Sequence, residues 1–243
     1  MAGSSINMLI LLAASPLETS ILRKNMTNPQ ILYCGSIQVF SGILQGQNVL
    51  LSHGGIGQVN MAMQLTRLLS EYTPLAILLC GCGGSYADSG LQIGQLALAE
   101  EEIFGDLGVA TADQFIPLDQ LNLPQTPQLA PIIQQSFALN SDLLKWAHDI
   151  LPNAACGSFV TVNRCSGYTD LSDELQQRTG GICENMEGAA AARVCAEFEI
   201  PLLELRGISN PTGTRDPQQW DIARGAEAAQ LGILALLENW PAE

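Results

Sequence analysis

Glu184 to Glu187 place two carboxylic acids, an amide and a thioether at four consecutive positions, and the small-residue run GAAAA follows directly. The small residues predict a closely packed helix. Glu187 is therefore expected at the helix N-terminus, where the helix dipole favours a carboxylate. A carboxylate in that place can bind sugar hydroxyls or another polar ligand. It can equally cap its own helix, and this run alone does not decide between binding and capping.

Two further polar side chains stand where an apolar strand is predicted to end. The run SPLE, which ends at Glu18, follows an apolar stretch over residues 6–14 and forms a capping box with proline at the first helical position. Asn210 follows the apolar strand 201–208, and its amide can donate one hydrogen bond and accept another. Helix capping and an Asn-Pro turn are the structural alternatives to chemistry at these two positions.

Two glycine-rich loops follow predicted strands and let backbone N–H groups approach a ligand closely. They are HGGIG over residues 53–57 and GCGG over residues 81–84. Neither has the spacing of a dinucleotide-binding loop or of a Walker loop, so neither a dinucleotide nor a nucleoside triphosphate site is supported. Ile56 and Gly83 in these loops, together with Asn185, are candidate substrate contacts.

The elements that position these loops alternate between strand and helix. This alternation predicts an α/β, three-layer fold with a central mixed, mostly parallel sheet flanked by helices, as a single domain over residues 1–243. Ligands in such folds bind beyond the carboxyl ends of the strands. Prolines over 117–131 indicate an irregular surface loop or lid. The predicted strands are 6–14, 48–52, 75–79, 94–99, 157–162 and 201–208, and the predicted helices include 58–72, 140–150 and 220–240.

The composition excludes several classes of partner. The formal net charge is −14 with only 10 Lys and Arg residues, so nucleic acid and membrane are not expected as partners. The apolar stretch 6–14 is too short to span a bilayer and lacks a basic lead-in, which favours a cytoplasmic protein. The seven cysteines are expected to be reduced thiols. His53 and His148 are isolated from any cysteine pair, so no metal site is expected.

In their order along the chain, these segments resemble the nucleoside phosphorylase/nucleosidase superfamily. The matching pieces are the first strand with Glu18, GGIGQVNMA (54–62), GCGG, ENMEGAA and LRGISN. A closer resemblance is to the futalosine hydrolases, nucleosidases of menaquinone biosynthesis. It rests on AASPLE, EEIFGDLGV (101–109), FVTVN (159–163), ENMEGAA and ISN…RD…QWD (208–221).

The resemblance implies a role for each matching position. Met186 and Glu187 hold the ribose, with Glu187 accepting its hydroxyl protons, and Glu18 orients the attacking water. Asn210 occupies the position that reads the base, where adenine-specific nucleosidases carry Asp. The implied reaction needs no cofactor and acts on a small-molecule nucleoside. The superfamily is commonly oligomeric, which implies a homo-oligomer, dimeric or higher.

Asn210 indicates which base is read. An amide can donate to the six-position carbonyl of hypoxanthine, whereas a carboxylate cannot donate unless it is protonated. The expected reaction is hydrolysis of futalosine to hypoxanthine and dehypoxanthine futalosine. An amide has no titratable proton to give to the leaving purine, so the source of that proton stays open. Asp216 and Asp221 are nearby in sequence but are expected to start a turn and a helix.

Three other functions stay open at this point. A 5′-methylthioadenosine/S-adenosylhomocysteine nucleosidase requires Asn210 to accept adenine. A purine nucleoside phosphorylase requires cations around phosphate, and the two glycine loops contain no Lys or Arg. A non-catalytic nucleoside-binding module is disfavoured because Glu18 and Glu187 are both present. Arg215 is a candidate substrate-binding residue, and Arg164 and Arg206 are also expected near the pocket. Any one of the three could bind the carboxylate of futalosine, and ion pairing with the many acids is the structural alternative.

Two aromatic or heteroaromatic positions have weaker predictions. His53 is expected to stabilise the adjoining loop by a hydrogen bond. Phe115 is expected in the core. The position at which adenine enzymes stack a phenylalanine on the base falls near Cys165 or Ser166, so base stacking is not predicted from that segment.

Overall fold

The computed structural model describes residues 7–121 and 134–241. Its strands are β1 Leu9–Ala13, β2 Thr27–Cys34, β3 Ile37–Leu44, β4 Gln47–His53, β5 Ala76–Ser85, β6 Leu96–Phe104, β7 Gly108–Ala110, β8 Phe115–Pro117, β9 Ser136–Ala138, β10 Ala155–Thr161, β11 Cys183–Asn185 and β12 Leu202–Pro211. Its α-helices are α1 Ser20–Asn25, α2 Gln58–Glu71, α3 Ser141–Ile150, α4 Thr169–Thr179, α5 Gly188–Phe198 and α6 Ile222–Glu238. Most of the predicted irregular segment 117–131 lies outside the described residues.

The central sheet is mixed and partly closed. Its strand order is β11-β10-β6-β12-β5-β1-β4-β3-β2, and β11 also pairs with β5, so β5, β11, β10, β6 and β12 form a closed ring. Parallel pairs (β1–β4, β1–β5, β5–β12, β6–β10, β10–β11) are no more numerous than antiparallel ones (β2–β3, β3–β4, β5–β11, β6–β12, β6–β9) in the described part of the chain. The expectation of a mostly parallel sheet was therefore wrong.

Short connections explain much of this difference. Two residues join β2 to β3 and two join β3 to β4, and a two-residue connection can link only antiparallel strands. Gln45 and Gly46 both have positive φ, 50° and 80°, as the favoured hairpin turns require. β2 and β3 were not predicted from the sequence, because apolar and polar residues do not alternate regularly along these strands.

The GCGG run is part of strand β5 and is not the tight turn that was expected after it. β5 continues to Ser85 because β12 pairs with it on one side and β11 on the other. A β-carbon on Gly83 would overlap Sγ of Cys183, and one on Gly84 would lie 2.9 Å from Cγ2 of Thr212. The absence of side chains at Gly83 and Gly84 thus leaves room for Cys183 and Thr212 to pack against the carboxyl end of β5.

Helices cover both faces of the sheet. One apolar cluster joins alternate residues of β1, including Leu9 and Leu11, to α1, α3 and α6. The other joins Ile10 and Leu12 to α2 and α5, where the small residues Ala189–Ala192 are buried. The predicted central sheet flanked by helices is therefore confirmed. Within residues 7–121 and 134–241, no helix is long and apolar enough to cross a membrane.

Candidate functional site

The eight candidate residues from the sequence all line one cavity of about 370 Å³. The cavity lies at the carboxyl ends of β1, β5, β11 and β12 and is closed on one side by the loop after β4. The eight are Glu18, Ile56, Gly83, Asn185, Met186, Glu187, Asn210 and Arg215. Residues that are more than 190 positions apart in the chain therefore line one cavity.

Glu18 caps the first helical turn and also reaches the cavity wall. Its Oε2 accepts hydrogen bonds from the backbone N–H and the hydroxyl of Ser15, both at 2.9 Å. Its Oε1 accepts from the backbone N–H of Cys82 on β5 at 2.9 Å. The predicted capping box is confirmed, and it holds the carboxylate in one orientation beside the cavity. Capping and ligand contact are therefore compatible at this position.

Glu187 immediately precedes α5, as predicted, and is only 4% exposed. Its Oε1 accepts from the backbone N–H of Gly57 at 3.0 Å, which ties the helix start to the HGGIG loop. Its Oε2 accepts from Nη1 of Arg206 at 3.3 Å. The side chain makes no cap to its own helix. Its carboxylate is thus positioned by the two neighbouring elements and faces the cavity.

Arg206 is the buried cation of the site and is 1% exposed. Its Nε donates to Oε1 of Glu204 at 2.8 Å, and Nη1 donates to the backbone carbonyl of Cys82 at 3.2 Å. Burial alone would lower its pKa, but the carboxylates of Glu204, Glu187 and Glu18 outweigh burial and raise it. Arg206 is therefore a permanent cation that forms ion pairs with Glu187 and Glu204 of the same chain.

Asn185 supports Glu187 from behind. Its Oδ1 accepts from the backbone N–H groups of Glu187 at 2.8 Å and Gly188 at 2.7 Å, and from Nη2 of Arg206 at 3.3 Å. Its Nδ2 donates to Oε1 of the buried Glu102 at 2.6 Å. Although Asn185 lines the cavity, every one of these bonds is internal. Its main role in this structure is to orient the start of α5.

Asn210 and Glu184 stand on opposite sides of β5 at the other end of the cavity. Both residues are register partners of Gly84, Glu184 from β11 and Asn210 from β12. Oδ1 of Asn210 accepts from the hydroxyl of Ser209 at 2.8 Å, and its Nδ2 donates to the carbonyl of Pro211 at 2.9 Å. Both bonds go to adjacent residues, as the Asn-Pro turn alternative predicts. One amide hydrogen and one oxygen lone pair of Asn210 have no partner among the described residues.

Glu184 is 7% exposed and anchors the loop after β10. It accepts from the backbone N–H of Ser166 at 2.9 Å, from the Ser166 hydroxyl, and from the hydroxyl of Tyr86 at 3.1 Å. Burial raises the pKa of Glu184, and the Ser166 and Tyr86 donors act against that rise. A carboxylate has about four acceptor sites, so one site, on Oε1, has no donor among the described residues.

The arginines expected near the pocket have three different environments. Arg206 is buried as described, and Arg164 lines a separate groove with Asp106 and Phe115. Arg215 lines the cavity and stacks on Trp220, with its guanidinium carbon 4.4 Å from the ring centroid. Arg215 is thus the cavity-lining arginine that is not engaged by Glu187 or Glu204.

The remaining expectations have clear outcomes. Nε2 of His53 lies 2.7 Å from Oγ1 of Thr19, which confirms a hydrogen bond that braces the loop, and burial lowers the pKa of His53 to about 4. Phe115 is half-buried against Arg178 in the separate groove, so the expectation that it lies in the core was wrong. Cys165 and Ser166 line the cavity, and Trp220 supplies its aromatic surface. Within the described ranges, no group of three or more His, Cys, Asp or Glu side chains is arranged to hold a metal ion.

Sequence reasoning missed three features of the site. Glu184 belongs to the same run as Glu187, but no separate role was predicted for it. The presence of a second acid in that run was the sequence feature that could have indicated one. The buried pair Glu102 and Glu204 gave no signal, because an acid within an apolar strand is normally expected on its exposed face. For Cys82, the sequence indicated only that backbone N–H groups of the glycine run could approach a ligand; the hydrogen bond from its N–H to Glu18 was not predicted.

A family model described as the phosphorylase superfamily matches residues 9–238. The 5′-methylthioadenosine/S-adenosylhomocysteine nucleosidase of Oceanobacillus iheyensis is 30% identical over 220 residues, which cover 89% of this chain and 93% of that protein. The enzyme of the same name from Shewanella sediminis is 27% identical over 233 residues, with 91% and 95% covered.

Solved structures show the same fold. The methylthioadenosine/adenosylhomocysteine nucleosidase of Neisseria meningitidis, in complex with methylthio-immucillin-A, has a TM-score of 0.82 at 20% identity and covers 96% of this chain and 100% of that one. The adenosylhomocysteine nucleosidase of Streptococcus pyogenes, in complex with 5-methylthiotubericidin, has a TM-score of 0.82 at 21% identity, with 100% of both chains covered.

Proposed function

We propose that this chain, which belongs to the phosphorylase superfamily and is a nucleosidase within it, hydrolyses the N-glycosidic bond of a 5′-substituted 6-oxopurine nucleoside. The substrate we favour is futalosine, which would release hypoxanthine and dehypoxanthine futalosine for menaquinone biosynthesis. The observation that carries this proposal is the neutral amide of Asn210 in the cavity wall.

The base end of the cavity offers the donor and acceptor pattern of hypoxanthine. The free amide hydrogen of Asn210 can donate to the six-position carbonyl. The free acceptor site of Glu184, across Gly84, can accept from the adjacent ring N–H. Adenine presents the reverse pattern, with a ring nitrogen acceptor facing the Glu184 carboxylate. Leaving such a buried group unsatisfied costs about 1–3 kcal/mol, which is enough to discriminate between the two bases.

The other end of the cavity suits a ribose that becomes cationic. In the proposed mechanism the bond from sugar to purine lengthens first, and positive charge builds on the sugar. The Glu187 carboxylate accepts hydrogen bonds from the ribose hydroxyls and stabilises this positive charge electrostatically. Glu18, held by Ser15 and Cys82, orients a water molecule for attack on the anomeric carbon.

The charges around the cavity favour water over phosphate as the nucleophile. Arg206 and Arg215 are the cations among the lining residues. Arg206 is already paired with Glu187 and Glu204, so its charge is not available to a phosphate dianion. Arg215, which stacks on Trp220 in the cavity wall, would bind a carboxylate on the 5′ substituent.

A second candidate is the 5′-methylthioadenosine/S-adenosylhomocysteine nucleosidase reaction, which the names of the curated relatives support. The remaining lone pair on Oδ1 of Asn210 can accept from the amino group of adenine. Under this alternative, Glu184 must carry a proton to donate to the ring nitrogen. A cytoplasmic location and a homo-oligomer are retained as parts of the proposal.

A substrate panel separates these functions. Purified protein is incubated with futalosine, inosine, methylthioadenosine and adenosylhomocysteine, with and without inorganic phosphate, and the free base is quantified. We expect hypoxanthine release from futalosine at the highest kcat/KM, without a phosphate requirement. Fastest adenine release from methylthioadenosine would contradict the 6-oxopurine proposal, and dependence on phosphate would contradict hydrolysis.

Asn210→Asp is expected to shift base preference. The new carboxylate can no longer donate to a carbonyl, so the ratio of kcat/KM for futalosine over methylthioadenosine should fall on the order of 10–100-fold. Asn239→Asp adds the same charge at the exposed end of α6 and is the matched control, with the ratio expected to stay at the wild-type value. An unchanged ratio in Asn210→Asp would show that this amide does not read the base.

A further inference from the structure

Glu204 on β12 is fully buried and has one oxygen without a donor. Its Oε1 accepts from Nε of Arg206, but no N–H or O–H of the described residues donates to Oε2. A buried acceptor on a charged group is costly when it is left without a partner. Oε2 therefore needs a donor beyond the N–H and O–H groups that the described residues carry in their ordinary protonation states.

The neighbouring carboxyl group of Glu102 on β6 is placed to supply that proton. Glu102 is also fully buried. A β-carbon built on Gly188 would overlap Oε1 of Glu102 and would lie 2.6 Å from Oε2 of Glu204, so both oxygens occupy the space beside this glycine. Two ionised carboxylates cannot remain this close in the interior without a shared proton.

We propose that Glu102 and Glu204 share one proton, with Oε1–H of Glu102 donating to Oε2 of Glu204, and that this proton positions the groups that hold Glu187. Oε1 of Glu102 still accepts from Nδ2 of Asn185, and Oε2 accepts from the hydroxyl of Thr161 at 2.6 Å. With this proton in place, each carboxyl oxygen of the pair has a hydrogen-bond partner.

The groups around the pair support this assignment. Burial, and then the charge of Glu204, raise the pKa of Glu102 well above its ordinary value. Burial also raises the pKa of Glu204, while Arg206 acts to lower it, so the proton belongs on Glu102. The titratable and charged groups that face the pair from the packed elements are Arg206 on β12, Glu187 at the start of α5, Cys195 on α5, Cys183 on β11 and Cys80 on β5.

The shared proton acts on the cavity through two routes. Glu102 orients Asn185, whose Oδ1 accepts from the backbone N–H of Glu187, and Glu204 orients Arg206, which donates to the Glu187 carboxylate. Glu102 and Glu204 are therefore positioning residues. Their effect on turnover rests on the proposed function, but the presence of the proton does not.

Glu204→Gln tests the inference directly. Its Oε1 can still accept from Arg206, and its Nε2 can donate to an ionised Glu102, so the total charge of the cluster is unchanged. In the wild type, the folded state holds a proton that the unfolded state releases above the ordinary carboxyl pKa of 4.5. The stability linked to this proton is present at low pH and is lost as pH rises towards the folded-state pKa.

The Tm of Glu204→Gln should fall less between pH 5 and pH 9 than that of wild type. Glu102→Gln is the informative contrast. Its amide oxygen is needed to accept from Nδ2 of Asn185, so Oε2 of Glu204 is left without a donor. We expect a lower Tm and lower kcat for that variant. Glu197→Gln, at an exposed surface pair with Arg193, is the control and should follow the wild-type curve.

Infrared spectroscopy of the wild-type protein keeps the test decisive if a variant does not fold. A protonated carboxylic acid at neutral pH gives a carbonyl band that shifts in D₂O, and we expect this band. Its absence from the wild type would overturn the proposal. An unchanged pH dependence of Tm in Glu204→Gln would also overturn it.

Discussion

Replacing Glu18 with Gln is expected to lower kcat on the order of 10²–10⁴-fold, because the proposed water loses the carboxylate that orients it and accepts its proton. The affinity for hypoxanthine should change much less, since the base end of the cavity is untouched. Steady-state kinetics on futalosine gives kcat, and calorimetric titration with hypoxanthine gives the affinity. An active Glu18→Gln variant would contradict the catalytic role.

Ser15→Ala separates catalysis from helix capping. It removes the hydroxyl that donates to Oε2 of Glu18 and leaves the carboxylate in place. Loss of a capping serine lowers the free energy of unfolding by about 0.5–2 kcal/mol. We expect this loss in thermal unfolding, with a much smaller change in kcat than in Glu18→Gln. Equal losses of kcat in the two variants would indicate that Glu18 acts only as a cap.

Replacing Arg206 with Met is expected to lower the free energy of unfolding by about 3–5 kcal/mol, since Glu187 and Glu204 are then buried without their cation. Turnover should also fall, because Glu187 loses the donor that holds its Oε2. Chemical denaturation monitored by circular dichroism measures the stability, and the kinetic assay measures turnover.

Arg193→Met is the matched control for charge removal. Arg193 pairs with Glu197 within α5 at 3.0 Å, and both side chains are partly exposed. Such a surface pair contributes about 0–1 kcal/mol. The two arginine variants should therefore differ by several-fold in their loss of stability. Similar losses would show that the buried arrangement around Arg206 is not what stabilises the fold.

The sequence was sufficient to predict those parts of the site that are positioned by neighbouring residues in the chain. The capping box at Ser15 to Glu18 and the small residues after Glu187 each act within one turn of helix, so the pattern alone fixed their placement. Asn210 was placed correctly at the end of a strand for the same reason. Glu18, Glu187 and Asn210 carry the proposed chemistry, and all three line the cavity.

The missed features depend on residues that are distant in the chain. GCGG was expected to turn, but strand pairing with β11 and β12 keeps it extended. Glu102 is buried because Thr161 and Asn185 bind its carboxyl group, and neither partner is near it in sequence. Periodicity reports which face of an element is apolar, and it does not report a polar network that satisfies a buried acid.

The closed ring of strands leaves β2 at one end of the strand order, with one side unpaired among the described residues. Such an edge can recruit a strand from another molecule and begin aggregation. Two features of β2 work against this: Asn28 has a left-handed φ of 51°, and Pro29, at a break in the register with β3, has no N–H to donate. The same strand already exposes the side chains of Ile31 and Tyr33, so loss of this irregularity would leave an apolar edge free to pair and favour association between molecules.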